Sequence, residues 1–204
     1  MTEAFLVAAG YLCGSLPFGY WLVRWLRGVD IRTVGSGNIG ATNVWRTFGP
    51  RLGIAVVVLD TFKGFAPAFV ATLWVGSLWG VVAGAAAMLG HSRPVFLRFA
   101  RGGKMVATCG GAFLGVAPIV GGIGAVVWIA VFAVCRYASV ASITAALALP
   151  IVALALGEPW PVVTFAAAAA VAVLVLHRSN IRRLRSGTET KVRLRGRKDQ
   201  PAGA

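Results

Sequence analysis

Gly35-Ser36-Gly37-Asn38-Ile39-Gly40-Ala41-Thr42-Asn43-Val44-Trp45-Arg46 interrupts two long apolar segments, residues 4–26 and 52–77. That contrast decides the fold. On either side the chain stays apolar long enough to cross the roughly 30 Å hydrocarbon core of a bilayer, which takes about 20 helical residues. The loop between exposes its backbone through glycines and adds hydroxyls, amides and one arginine. Such groups suit an anionic headgroup or a phosphate rather than lipid tails. The expectation is a membrane protein that handles a phosphorylated molecule.

Working outward, the 204 residues are 58% hydrophobic, with a mean hydropathy of +0.79. Apolar segments recur at 4–26, 52–77, 78–97, 105–119, 120–135, 138–157 and 160–177. Little hydrophilic sequence is left for a soluble domain. The expected fold is all-α and polytopic: one transmembrane domain over 1–189, then a basic, flexible tail over 190–204. The fourth segment is short, and Pro118, Gly121 and Gly122 suggest a re-entrant or kinked helix there. Residues 4–26 read as a retained span, because Glu3 is acidic where a signal peptide is basic and the run is too long for one.

The net charge of +14 would suit nucleic acid on a soluble surface. Here the cations flank apolar segments instead. If all seven segments cross, 19 of the 20 lysines and arginines fall on one side, with Lys63 inside a segment. Fusing segments four and five would break this pattern at Arg136 and the tail. Seven spans, N-terminus outside and C-terminus cytoplasmic, therefore follow from the positive-inside rule. Small residues such as Gly80, Ala83, Gly84, Ala87 and Ala166–Ala170 suit close helix packing. Cys13, Cys109 and Cys135 lack metal-ligand spacing and read as small buried hydrophobes. No internal repeat is evident, which weighs against an inverted-repeat transporter.

On this topology three polar regions converge at the cytoplasmic face. In the first, glycines at 35, 37 and 40 let main-chain N–H groups approach an anion. Ser36, Asn38, Thr42 and Asn43 add polar groups, and Arg46 can fork onto a phosphate. A flexible connection would also use Gly, Asn and Ser, but has little use for this whole set. In the second, Gly102-Gly103-Lys104 opens a helix, a favourable place for phosphate, although a basic cap reads equally well. The third is the 177–189 segment, which opens with His177-Arg178-Ser179-Asn180. His91 and His177 each end an apolar segment, as polar caps or as general bases. Asp60 and Lys63, at i and i+3, can pair within the second span as a structural ion pair or a functional one.

These residues resemble the bacterial PlsY family, membrane acyltransferases that acylate glycerol 3-phosphate using acyl phosphate. The match runs from Gly14-Ser15-Leu16-Pro17-Phe18-Gly19 to Gly187-Thr188-Glu189, and the stretch 35–46 is its most specific part. Asp60 with Lys63-Gly64, Gly90-His91 with Pro94-Val95-Phe96, Arg136-Tyr137 with Ser139, and His177-Arg178 with Asn180 follow in order. Two positions depart from the pattern. Met105 follows Lys104 where the family usually has glycine, and Ser179 stands where it often has an acid.

The resemblance implies a bacterial inner-membrane enzyme making 1-acyl-glycerol 3-phosphate (lysophosphatidate) and phosphate, the first acylation of phospholipid synthesis. Two phosphorylated anions must meet, so Arg46, Lys104 and His177 are the expected catalytic groups. Ser36, Gly37, Asn38, Gly40, Thr42, Asn43, Gly102, Gly103 and Asn180 are the expected substrate-binding residues. Either His177 or a donor phosphate oxygen takes the hydroxyl proton; no carboxylate–histidine pair resembles the His-x-x-x-x-Asp motif of soluble acyltransferases, since the residue five positions after His91 is Phe96. Acyl phosphate is already activated, so no metal, cofactor or covalent intermediate is required. The expected partners are acyl phosphate, glycerol 3-phosphate and membrane lipids, without nucleic acid or an obligate protein partner. The rivals are a transporter or channel for an organic phosphate, and a headgroup or nucleic-acid binder acting through the tail.

Overall fold

A computed structural model of the chain describes residues 1–192. Arg193, Arg195, Arg197 and Lys198, with most of the expected tail, lie outside the described residues. The described chain forms ten α-helices, with no strand among these residues. They are α1 (Thr2–Gly14), α2 (Phe18–Arg27), α3 (Ala41–Phe48), α4 (Pro50–Val75) and α5 (Ser77–Ser92). Then come α6 (Val106–Val116), α7 (Pro118–Cys135), α8 (Ala138–Ala155), α9 (Trp160–Leu176) and α10 (Arg178–Arg185).

Every expected apolar segment is helical, but the boundaries shift for identifiable reasons. The first segment breaks between α1 and α2 at Ser15–Pro17, because proline lacks an N–H and forces its predecessor out of the helical region. The third ends at Ser92 rather than near residue 97; Pro94 follows, and Val95–Leu97 form a short 3-10 turn. The expected kink around Gly121 and Gly122 is instead a join at Ala117, and Pro118 sits in the first turn of α7. Gly121 permits close packing rather than a bend, since a methyl there would fall 2.6 Å from the Leu114 nitrogen where α7 crosses α6.

Four stretches are long and apolar enough to cross a membrane: Thr2–Arg27, Pro50–Val75, Pro118–Cys135 and Ala138–Ala155. The pair Trp160–Leu176 and Arg178–Arg185, bent by 58°, makes a fifth if counted as one span. Helix α6 has 11 residues and rises only about 16 Å, about half the hydrocarbon core and the shortest of the expected spans.

Helix α4 lies at the centre, packed on α1, α3, α5 and α6. Its contact with α6 is backbone to backbone. A methyl at Gly64 would fall 2.0 Å from the Thr108 carbonyl oxygen, and one at Gly111 1.9 Å from that of Thr61. Such close approach of small residues is how helices associate in lipid, where burial of apolar surface supplies no drive. Around it Phe113 stacks on Phe165 at 4.7 Å between ring centroids, with Met88, Leu149 and Val162 completing the core. Outward-facing Ile129, Ile151 and Leu154 stay exposed, as lipid-facing side chains do. This frame puts the starts of α3 and α6 and the end of α9 together at one end of the bundle.

Candidate functional site

The loop preceding α3 is wrapped around one side chain, Asn43. Its Oδ1 accepts the Ser36 N–H at 2.9 Å, and its Nδ2 donates to the carbonyls of Val34 at 3.1 Å and Asn38 at 2.9 Å. Gly35 and Gly37 hold φ of +61° and +68°, the left-handed region that a side chain disfavours. Asn38 Oδ1 accepts the Gly40 N–H at 2.8 Å, while its Nδ2 donates to the Gly102 carbonyl at 3.2 Å. Asn38 thereby ties the first polar region to the second.

In the second region, Gly102 and Gly103 donate their N–H groups to the carbonyls of Ser92 at 2.9 Å and His91 at 3.0 Å. Lys104 Nζ then donates to Asn180 Oδ1, which ties the second region to the third. Met105 has φ +68°. A glycine would take this left-handed conformation freely; for methionine it costs roughly 1–2 kcal/mol, and the buried side chain joins the core.

In the third region Glu189 is the hub. Its Oε1 accepts from Asn180 Nδ2 at 2.7 Å and Ser139 Oγ at 2.9 Å, and its Oε2 from Arg183 Nε at 2.7 Å. Arg46 Nη2 lies 4.0 Å from Glu189 Oε1 and donates to the Thr190 carbonyl. The Val192 N–H bonds the Arg136 carbonyl at 2.9 Å, and Val192 is buried. Residues 189–192 thus lie against the bundle.

Burial sets the electrostatics. It pushes Lys104 down to about 8; Glu189 opposes this, and Arg183, Arg101 and Arg46 add to it. Burial also lowers Arg46, with Glu189 opposing and Arg183 adding. For Glu189 burial acts upward, but hydrogen bonds from Asn180, Arg183 and Ser139 outweigh it and hold the carboxyl below its usual range. His177 Nδ1 is 2.8 Å from the Val173 carbonyl oxygen. A carbonyl only accepts, so Nδ1 carries the proton and a neutral His177 keeps Nε2 as acceptor.

A cavity of about 420 Å³ opens among these groups. Ser36, Asn38, Gly40, Thr42, Asn43, Arg46, Lys104, His177 and Asn180 all line it. Gly37, Gly102 and Gly103 are not on its wall. The cavity continues between α6, α7 and α8, past Trp128, Phe132 and Leu114 to Gly124 and Leu149. It is polar at one end and apolar along the rest.

Sequence reading missed Glu189 with Arg183, and the signal was present: a single acid closes the run of basic residues from Arg178 to Arg185. A second contact that the sequence did not announce joins Asp60 and His91. Asp60 Oδ1 lies 3.8 Å from His91 Nδ1, with both side chains buried. The two sit on different helices, α4 and α5, so no local spacing could announce them.

A family profile described as glycerol-3-phosphate acyltransferase matches residues 4–187. The glycerol-3-phosphate acyltransferase of Geotalea daltonii is 47% identical over 191 residues, covering 92% of this chain and 96% of that protein. That of Geobacter sulfurreducens is 47% identical over 193 residues, covering 94% and 98%. The crystal structure of PlsY (YgiH), an integral membrane glycerol 3-phosphate acyltransferase, in its glycerol 3-phosphate form, superposes with a TM-score of 0.89 at 41% identity. It covers 94% of this chain and 96% of that one. The lysophosphatidic acid form gives 0.88 at 39% identity, covering 95% and 97%. With its whole helical core matched and the three polar regions assembled around one cavity, the chain belongs to the glycerol-3-phosphate acyltransferase family of integral membrane proteins.

Proposed function

We propose that this chain transfers a fatty acyl group from acyl phosphate to glycerol 3-phosphate, giving lysophosphatidate and inorganic phosphate. Family membership makes it an acyltransferase acting on glycerol 3-phosphate, and displaces the transporter and tail-binder rivals. The donor, the residue roles and the membrane topology are our own reading. One observation carries it: a single cavity joins Arg46, Lys104, His177 and Asn180 to an apolar arm between α6, α7 and α8. That shape suits a molecule with an anionic head and a hydrocarbon tail.

Arg46 and Lys104 bind and orient the phosphates, with Ser36, Asn38, Thr42, Asn43 and Asn180 supplying hydrogen bonds. The glycines at 37, 40, 102 and 103 shape the loops that carry these groups. The glycerol hydroxyl oxygen attacks the acyl carbonyl carbon, and the carbon–oxygen bond to phosphate breaks. The proton passes to His177 Nε2 or to a phosphate oxygen of the donor. Positioning and charge stabilisation supply most of the rate, without metal, cofactor or obligate protein partner. The unit spans the bacterial inner membrane seven times within 1–189, N-terminus outside, with the cavity mouth facing the cytoplasm. The charge distribution supports that orientation.

The test incubates purified protein with palmitoyl phosphate and labelled glycerol 3-phosphate, with acyl-CoA as control donor. Labelled lysophosphatidate from acyl phosphate alone is the expected result. Product only from acyl-CoA would overturn the donor assignment.

A further inference from the structure

Asp60, Lys63 and His91 form a buried cluster of ionisable side chains; Asp60 and His91 also line the cavity, and the acyl-transfer steps above give the cluster no role. Lys63 Nζ is 2.8 Å from Asp60 Oδ1. It also donates at 2.8 Å to the carbonyl of Leu16, exposed by the helix break before Pro17. His91 Nδ1 faces Asp60 Oδ1 at 3.8 Å and makes no hydrogen bond among the described residues. Removing three ionisable groups from water is costly, and an apolar trio would pack more cheaply. What distinguishes this cluster is where the far edge of the imidazole lies.

That edge lies on Gly103. A methyl at Gly103 would fall 1.9 Å from His91 Nε2 and 2.5 Å from Cε1. A methyl at Gly102 would fall 2.1 Å from the His91 carbonyl oxygen, which already accepts the Gly103 N–H at 3.0 Å. Both glycines back onto His91, while Lys104, one residue on, reaches the cavity wall. Two successive glycines give the chain its greatest backbone freedom, so a loop built on them needs an outside brace to aim a lysine.

The geometry assigns His91 as a positioning residue: packed between the Asp60–Lys63 pair and Gly103, it sets through Gly103 where Lys104 enters the cavity. This rests on the reading of Lys104 as a phosphate ligand. It gives the two glycines a reason other than cradling phosphate: they leave room for His91.

The test is a double-mutant cycle on the full-length enzyme in detergent, using Gly103→Ala, His91→Ala and the double variant. Each is checked for monodispersity and titrated with glycerol 3-phosphate. Gly103→Ala alone lowers kcat/KM by about 100-fold, the effect of misplacing a catalytic group by about 1 Å. The loss falls mainly on KM, whereas a merely unstable enzyme loses kcat at unchanged KM. In the His91→Ala background, adding Gly103→Ala costs no more than about twofold, the scatter of independent sites. A Gly103→Ala penalty of equal size with and without His91 would overturn the assignment, because the glycine would then be admitting substrate directly. If His91→Ala does not purify as a folded protein, His91→Asn serves, since it removes the Nε2 edge and keeps a polar atom towards Asp60. Lys104→Ala is the control: wild-type turnover there removes the phosphate-ligand reading itself, whatever the cycle shows.

Discussion

Two glycine-rich loops meet at the cavity, and they use glycine for different reasons. In the loop at 35–40, Gly35 and Gly37 adopt left-handed φ so that the chain can curl around Asn43, whose amide bonds four main-chain groups. In the loop at 102–104, neither glycine has positive φ; each is small because His91 lies against it. The first loop is organised from within by its own following helix, the second from outside by the end of α5. In sequence both are glycines beside polar residues, and only the neighbours tell them apart.

The comparison can be broken most decisively at the cations each loop delivers. Arg46→Ala and Lys104→Ala are each expected to lower acyl transfer by about 100- to 1,000-fold, the scale of losing one preorganised donor to developing charge. Both should leave a monodisperse protein, and labelled lysophosphatidate formation is the readout. Turnover within a few-fold of wild type in either variant would remove that loop from the site.

Next come the organisers. Asn43→Ala removes the amide at the centre of the first loop and strands buried main-chain groups, at a cost of about 1–3 kcal/mol for an unmet buried partner. A lowered Tm in detergent together with reduced activity checks this. Glu189→Gln keeps the shape of the hub but puts a donating amide nitrogen where a carboxylate oxygen accepts from Arg183 or from Asn180 and Ser139. Its expected cost is about 2 kcal/mol, read by the same melt.

The second loop can be sharpened by pH. Burial brings Lys104 to about 8, so its protonated form is lost as pH rises through that value. The kcat/KM profile, which reports the free enzyme, should therefore fall above roughly pH 8. Lys104→Arg stays charged throughout and should lose that alkaline limb. An unchanged limb in the arginine variant would assign it to another group.

The smallest expected effect is at Met105. At φ +68° alanine keeps the strain and loses the side chain, whereas glycine relieves the strain. Met105→Ala should therefore be less stable than Met105→Gly by about 1 kcal/mol, the reverse of the helix-propensity order. Comparing the two melts is enough.

Much of this was legible in the sequence because lipid imposes a harsh grammar. Each apolar segment became a helix, and the polar residues from Ser36 to Arg46, with Lys104, His177 and Asn180, gather at one cavity. Three things were not legible. Gly102 and Gly103 read as phosphate ligands but pack on His91, because a small residue looks the same whether its neighbour is substrate or protein. Glu189 closes the basic run that holds two of its partners, Asn180 and Arg183, but its bond to Ser139, 50 residues earlier, is invisible to local pattern. The Asp60–His91 pair escapes any search for local spacing, because it spans two helices.

The sequence by itself determined the all-helical membrane class, the apolar segments and the polar groups that line the cavity. The physical reason is that backbone satisfaction in lipid and flanking charge act locally along the chain. Only the tertiary structure decided which loop packs on which, where helices break, and that the polar end and the apolar arm share one cavity. Those depend on groups far apart in sequence meeting within hydrogen-bond distance, and no local pattern encodes such a meeting.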